Sequence, residues 1–503
     1  MIYPVNVLRR LMTVAIPLGL SACVNLAPEY HQPAAPVQGS WPQNPAMSTA
    51  AGLPTANDLD WQQFFTDPRL RDVVRLGLEN NRDLRIASLN IEKARAQYGI
   101  ARADGLPAVG VDGEVSRSRT PASISNSGET TLSTRYSVDL GLTSYEIDFF
   151  GKIRNLKAAA MQRYLGAQES RRSAQISLVS EIAAAWLQLE ATGQQLQLAR
   201  STLVNQQKSH ELIRRSHELG AESGLTLAQS QSTVDAAKVK VAEYETTLAQ
   251  DKNALTLLTG TPVPPTMLPE ADFALQGRAV SRLVMPPPGL PSTVLQQRPD
   301  VLAAEHDLIA ANADIGAARA AFFPSISLLG SAGTASSSLS GLFGSGTLAW
   351  SFAPSVSLPI FDGGANRANL NLSKAERDIL LATYEKTIQT AFREVADALA
   401  VRTTISSRLQ AQQSLVDSTY RSFQLSNALF TRGGGNGFLE VLDAQRAYYT
   451  AQQDLISLRL AEQLNRLALF KTLGGGWQPV SSGKPAPSIP SRSAGSSQGI
   501  TPH

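Results

Sequence analysis

The chain has 503 residues, of which 17% are charged and 6% aromatic, and its net charge is +3. That length accommodates two or three ordinary domains, and the near-neutral balance excludes an acidic tail protein and gives no footprint for nucleic acid. Beyond the N-terminal leader no apolar run approaches 18 residues, so a membrane-spanning helix is excluded.

Arg9 and Arg10 precede an apolar stretch, residues 11–20, broken only by Thr13, Pro17 and Gly19. It is too short to span a bilayer as a mature helix and reads as a signal peptide over residues 1–22. It ends in Leu20-Ser21-Ala22-Cys23, which resembles a bacterial lipobox, with small residues ahead of a cysteine that becomes the acylated first residue. Cys23 is the one cysteine of the sequence, so there is no disulfide framework although the implied compartment is oxidising. Several acyl chains would hold this terminus in lipid more firmly than one. Val24 in place of aspartate favours, by analogy with bacterial lipoproteins, sorting to the outer membrane. Residues 23–58, rich in Pro, Ala and Gln, read as an extended segment leading away from the anchor.

Residues 59–260 and 291–474 then say nearly the same thing twice. Asn81-Arg82-Asp83-Leu84 reappears as Gln297-Arg298-Pro299-Asp300, and Ala101-Arg102-Ala103 with Pro107 reappears as Ala318-Arg319-Ala320 with Pro324. Further on, Glu181-Ile182-Ala183 meets Glu394-Val395-Ala396, and Leu255 meets Leu469. A repeat of roughly 215 residues is too long for a solenoid and suits two copies of one structural unit. Each copy reads helix, strand, loop, strand, long helix, turn, helix. Between them, residues 261–290 carry Pro262, Pro264, Pro265, Pro269 and Pro286-Pro287-Pro288 and form an irregular equatorial linker. Residues 475–503 turn to Ser, Pro and Gly and read as a disordered tail.

In the first copy Val109, Val111 and Val115 alternate with Gly110, Asp112 and Glu114, and Tyr136, Val138, Leu140 and Leu142 alternate with polar residues. In the second, residues 325–336 and 347–360 do the same, with Leu348, Trp350, Phe352, Val356 and Leu358 on one face. Period two marks strands with one apolar face, and their length suits a tilted crossing of a bilayer. Four strands cannot close a membrane barrel, and an open edge in lipid leaves backbone groups unsatisfied. If these strands span a membrane, the chain must therefore associate. Three copies of four strands would make a barrel of twelve.

The first long helix runs from Lys152 to about residue 219, roughly 100 Å at 1.5 Å per residue. Val179, Ile182, Trp186, Leu189, Gly193, Leu196, Arg200 and Leu203 step alternately by three and four. In the second, residues 365–431, Leu381, Tyr384, Ile388, Ala391, Val395 and Ala398 keep that step, continued by Ile405, Leu409, Val416 and Phe423. This is the period of a left-handed coiled-coil seam. The long helices end at glycine, at Gly220 and at Gly433-Gly434-Gly435, and return as helices over 225–258 and 438–473.

No catalytic constellation is present. His210 and His217 are one heptad apart, about 10 Å along the axis, and read as seam residues rather than as a metal pair. A Walker-type phosphate loop is missing, since Phe150-Gly151-Lys152 and Gly483-Lys484 lack the upstream glycine. The chain has no means of energising transport and calls for no cofactor or metal.

These residues resemble the TolC-like outer-membrane efflux proteins, in their OprM-type lipoprotein branch. The markers are Asn81-Arg82-Asp83-Leu84, Arg298-Pro299-Asp300, Phe323-Pro324-Ser325, Leu358-Pro359-Ile360-Phe361-Asp362-Gly363-Gly364 and Leu439-Glu440-Val441-Leu442-Asp443-Ala444-Gln445-Arg446, in order behind a lipobox. The resemblance implies a mainly α homotrimer with a membrane β-barrel of twelve strands, four from each protomer, continued by a periplasmic helical barrel. It also implies a periplasmic adaptor and an inner-membrane pump of the RND type as partners, with the tip turns at Gly220 and Gly433–Gly435 meeting the adaptor. The family's periplasmic gate falls on Asp443 and Arg446, with Leu439 one turn earlier as an apolar constriction. By spacing alone Asp443 and Arg446, at i and i+3, would form a helix-surface pair worth about a few tenths of a kcal/mol. The first copy has Gln229, Ser230 and Ser232 around Gln231 and lacks both charges, so the pair is not a scaffold requirement. The alternatives are the same tunnel serving metal-ion or protein export, and a periplasmic coiled-coil lipoprotein without a pore.

Overall fold

The computed structural model describes residues 25–39, 41, 60–126, 128–269, 283–284, 292–432 and 437–475. Each repeat has the same order. The first contains α1 (Trp61–Phe64), α2 (Pro68–Asn80), α3 (Arg82–Ala103), β1 (Ala108–Thr120), β2 (Thr131–Ile147), α4 (Lys152–Glu218) and α5 (Gly224–Thr259). The second contains α6 (Pro299–Ala320), β3 (Ser325–Ser336), β4 (Leu348–Ser357), α7 (Ala365–Thr431) and α8 (Phe438–Thr472). The two long helices are 67 residues each, about 100 Å.

The strands form one antiparallel sheet in the order β1-β2-β3-β4. Its register sets the apolar residues in rows across all four strands. Val111, Leu140, Ala332 and Trp350 make one such row, and Val109, Leu142, Gly330 and Phe352 the next. The opposite face carries Asp112, Asp139, Gly333 and Ala349. The period-two reading of β2 stops at Leu142, and the structure supplies the reason. A bulge between Leu142 and Tyr145 inserts one residue, so that Tyr145 pairs with Leu328 and Ile147 with Ile326. A single extra residue moves the following side chains to the other face, and here it returns the odd-numbered residues to the apolar row. Among the described residues no helix covers that row: Val111 is 70% and Trp350 75% exposed.

The core lies instead where α1 and α2 meet the middle of α4, the C-terminal end of α5 and the C-terminal half of α8. Phe64 stacks on Phe470 with centroids 4.0 Å apart, and Trp61, Val179, Ile182, Trp186 and Leu255 close around them. Each such side chain contributes about 1.5–3 kcal/mol by leaving water. The expected seam of α4 is buried at Val179, Ile182, Trp186, Leu189 and Leu196, then opens to solvent at Arg200, which pairs with Glu245 at 2.7 Å. On α7 it is buried at Tyr384, Ile388, Ala391, Val395, Ala398, Ile405 and Val416. The linker is pinned rather than loose where it is described. Trp186 Nε1 donates to the Met267 carbonyl at 3.1 Å, Gln463 accepts from the Leu283 amide, and Arg466 donates to the Leu283 carbonyl.

The N-terminal segment lies along α6 and runs away from the sheet as the chain proceeds. Trp41 stacks on Phe392 of α7, the Tyr30 hydroxyl donates to Glu305, Asn312 donates to the Pro28 carbonyl and Arg319 to the Leu26 carbonyl. Gly316 makes room for it, since a β-carbon there would stand 2.8 Å from Ala27.

The two repeats close their returning helices by one device with different side chains. α5 ends at Gly260 and α8 at Gly474, both with φ in the left-handed region that glycine tolerates without strain. Two residues before each glycine a carbonyl is taken up by the N-cap residue of a 22-residue helix earlier in the same repeat, α3 or α6. Asn81 donates to the Leu258 carbonyl at 2.8 Å, and Arg298 to the Thr472 carbonyl at 3.0 Å. Asn81 and Arg298 are therefore equivalent, whereas Arg82, which resembles Arg298 in sequence, is exposed and reaches only the Asn80 carbonyl. Arg298 also binds Asp300 at 2.7 Å and Glu394 at 3.1 Å. Burial pulls its pKa down, but the Asp300 and Glu394 carboxylates outweigh that and raise it above the ordinary value.

Candidate gate at the helical tips

The first hairpin turns at Leu219 and Gly220, the latter at φ 78°, and α5 starts under an Ser223 cap that accepts from the Thr226 amide. His217 fastens this turn. Its Nδ1 lies 2.8 Å from the Glu222 carbonyl, and a carbonyl only accepts, so Nδ1 carries the proton. His210 engages Ser230, whose hydroxyl already donates to Leu227, so the two histidines serve separate hydrogen bonds. No cluster able to hold a metal occurs among the described residues. Around them Glu211 receives hydrogen bonds from Arg214 and Arg215, which lower its pKa to about 2.

The second turn, with Gly433, Gly434 and Gly435, lies outside the described residues, as does Cys23. Leu439, Asp443 and Arg446 stand on the first turns of α8, all three exposed. The intrahelical pair expected from the i,i+3 spacing is not formed. Among the described residues neither Asp443 nor Arg446 has a hydrogen-bond or ion-pair partner. Phe438, Val441, Leu442 and Gln445 turn inward and are buried, which leaves Asp443 and Arg446 on the opposite side, extended into solvent. The inward residues meet the other hairpin: Phe438 and Leu442 pack with Ile213 of α4, flanked by Leu227 and Phe430. Sequence reading missed Ile213. Its signal was slight, since Leu212 and Ile213 are the only apolar residues between Val204 and Leu219, and Ile213 lies one position off the seam.

A duplicated protomer with an uncovered apolar sheet, two unpaired sheet edges and two 67-residue helices has the make-up of a channel-tunnel subunit that further copies complete. The chain belongs to the outer membrane efflux protein family, whose model matches residues 73–261 and 290–475, one segment in each repeat. It is 44% identical over 470 residues to the toluene efflux pump outer membrane protein TtgC and to the antibiotic efflux pump outer membrane protein ArpC, both of Pseudomonas putida, covering 93% of this chain and 96% of each relative. Among solved structures, it superposes on the open state of the MtrE outer membrane channel of Neisseria gonorrhoeae with a TM-score of 0.79, at 36% identity, over 90% of this chain and 99% of that one. A membrane protein from Pseudomonas aeruginosa matches at a TM-score of 0.82 and 40% identity, over 90% of this chain and 100% of that one. The protein is thus an outer-membrane efflux channel and not an enzyme. The reading without a pore is set aside.

Proposed function

We propose that three copies of this chain form the passive outer-membrane exit of a tripartite pump, carrying small apolar or amphiphilic compounds from an inner-membrane RND-type pump and a periplasmic adaptor out of the cell. Toluene and antibiotics in the names of the relatives support that cargo over metal ions or protein. Trimer closure joins the free edge of β4 to β1 of the next protomer, antiparallel throughout, and removes the edges that lipid does not tolerate. The adaptor meets the tip turns at Gly220 and Gly433–Gly435.

The observation that carries the gate is the exposed, unpartnered pair Asp443 and Arg446 on the side of α8 away from its own core. Around a three-fold axis, each Asp443 meets an arginine of a neighbouring protomer, and Leu439 adds an apolar ring. Such charge-assisted bonds close the tip until a partner competes for them. In planar bilayers the wild type should show a small single-channel conductance that rises severalfold in Asp443→Ala/Arg446→Ala. Equal conductance in an intact trimer would move the gate elsewhere.

Cys23 provides the lipid anchor in this reading. The described segment begins two residues after this position, and Arg319 of α6 donates to the Leu26 carbonyl. Cells fed labelled palmitate should incorporate it into the wild type and not into Cys23→Ser; equal labelling of both would refute the anchor.

A further inference from the structure

We propose that the lipid-facing side of the sheet binds a phosphorylated glycolipid of the outer leaflet, with Arg117 and Arg119 of β1 holding its phosphate. Such binding rests on the channel reading above, which sets this sheet in the outer membrane, and on nothing about the gate. In the register of β1 against β2, Arg117 stands opposite Thr134 and Arg119 opposite Leu132. Successive side chains of a strand alternate between faces, so both arginines share the face of Val109, Val111 and Val115. Both are exposed, and neither has a hydrogen-bond or ion-pair partner among the described residues. The carboxylates of the strands, Asp112, Glu114, Asp139 and Glu146, all project from the opposite face. Nothing on the lipid side of the strands therefore neutralises the two guanidinium groups.

Their height on the sheet fits lipid headgroups rather than acyl chains. The rows that face lipid run from Ile147, Ile326 and Val356 near the helices to Val115, Tyr136 and Ser336 near the hairpin ends. Residues 326 to 336 cover about 33 Å along the strand at 3.3 Å each, or about 25 Å across the membrane at a barrel tilt near 40°. That matches the apolar band of an outer-membrane barrel, and Arg117 and Arg119 follow beyond its last row. A lone arginine facing lipid is strongly unfavourable at mid-membrane and tolerated at the interface. There its planar fork can take a phosphate through two parallel N–H donors, and the outer leaflet of an outer membrane is built of phosphorylated glycolipid. Closure of the sheet sets β1 beside β4 of the next copy. The hairpin end of that strand opens with Leu348 and Trp350 on the same face, 77% and 75% exposed, which offers apolar surface to the acyl chains.

The test measures binding of bisphosphorylated lipid A to the full-length trimer in detergent by native mass spectrometry. Wild type should bind it at least tenfold more tightly than dephosphorylated lipid A. Arg117→Gln/Arg119→Gln should weaken binding of the phosphorylated form about thirtyfold, roughly fivefold for each arginine. Arg135→Gln removes the same charge from the opposite face and should change binding by less than twofold. Equal binding of the two lipid forms, equal binding by wild type and the double variant, or an equal loss in Arg135→Gln overturns the site. Phosphatidylglycerol bound as tightly as lipid A overturns it too, since any anionic lipid would then suffice. Should the double variant fail to assemble, the comparison of the two lipid forms on wild type still decides. A trimer that conducts in planar bilayers yet shows no preference for the phosphorylated form overturns the lipid site and leaves the channel standing. A chain that neither trimerises nor conducts overturns the channel reading and the site with it.

Discussion

Arg298→Ala should cost about 3 kcal/mol of stability, whereas Arg82→Ala should stay within about 0.5 kcal/mol. The two arginines look alike in sequence, so the contrast isolates position from residue type. Arg298 has a side chain only 10% exposed, held by Asp300, Glu394 and the Thr472 carbonyl. Truncation leaves a carbonyl and two carboxylates without their donor where water reaches them poorly, and an unpaired buried partner costs more than the bond itself contributed. The value sits at the low end for a buried pair because Glu394 is 37% exposed. Denaturant midpoints of purified protein measure both variants. Equal losses would mean that Arg298 does not tie α6 to the end of α8.

Gly333→Val should abolish the folded sheet in the membrane, and Gly113→Val should be tolerated. Both glycines are in strands and neither has a positive φ. A β-carbon at Gly333 would fall 2.2 Å from the Val138 carbonyl oxygen and 2.6 Å from the Asp139 α-carbon, both backbone atoms of the neighbouring strand that cannot rotate away. At Gly113 nothing lies within 4 Å. Overpacking against backbone costs about 3 kcal/mol or more, and in this sheet it also spoils the register that aligns the apolar rows. The assay is the yield of heat-dissociable trimer in outer-membrane fractions. Comparable yields from the two variants would show that β2 and β3 are not paired as described.

Much of the architecture was legible because it is written in short periods. The three-four stepping of α4 and α7, the alternation in the strands and the doubled motifs are properties of neighbouring residues, and each survives folding nearly unchanged. The residues of the proposed gate were legible, their pairing was not. Asp443 and Arg446 stood out because the first repeat lacks both charges, but their spacing suggested a bond to each other that the structure does not make. Which face of α8 these two charges share is set by Phe438 and Leu442 packing on Ile213. Nothing local to residues 438–446 encodes where Ile213 lies.

The elements, their duplication, the single apolar face of the strands and the need for further copies to close the sheet follow from periodicity and from counting strands. Tertiary structure alone decided which N-cap residue closes each repeat, where β2 bulges to keep its apolar row, and which side of α8 faces the other hairpin. Those depend on contacts between residues far apart in the chain: Arg298 with Thr472, Gly333 with Val138, and Ile213 with Leu442. Packing of whole helices and strands sets such contacts, and no local pattern records them.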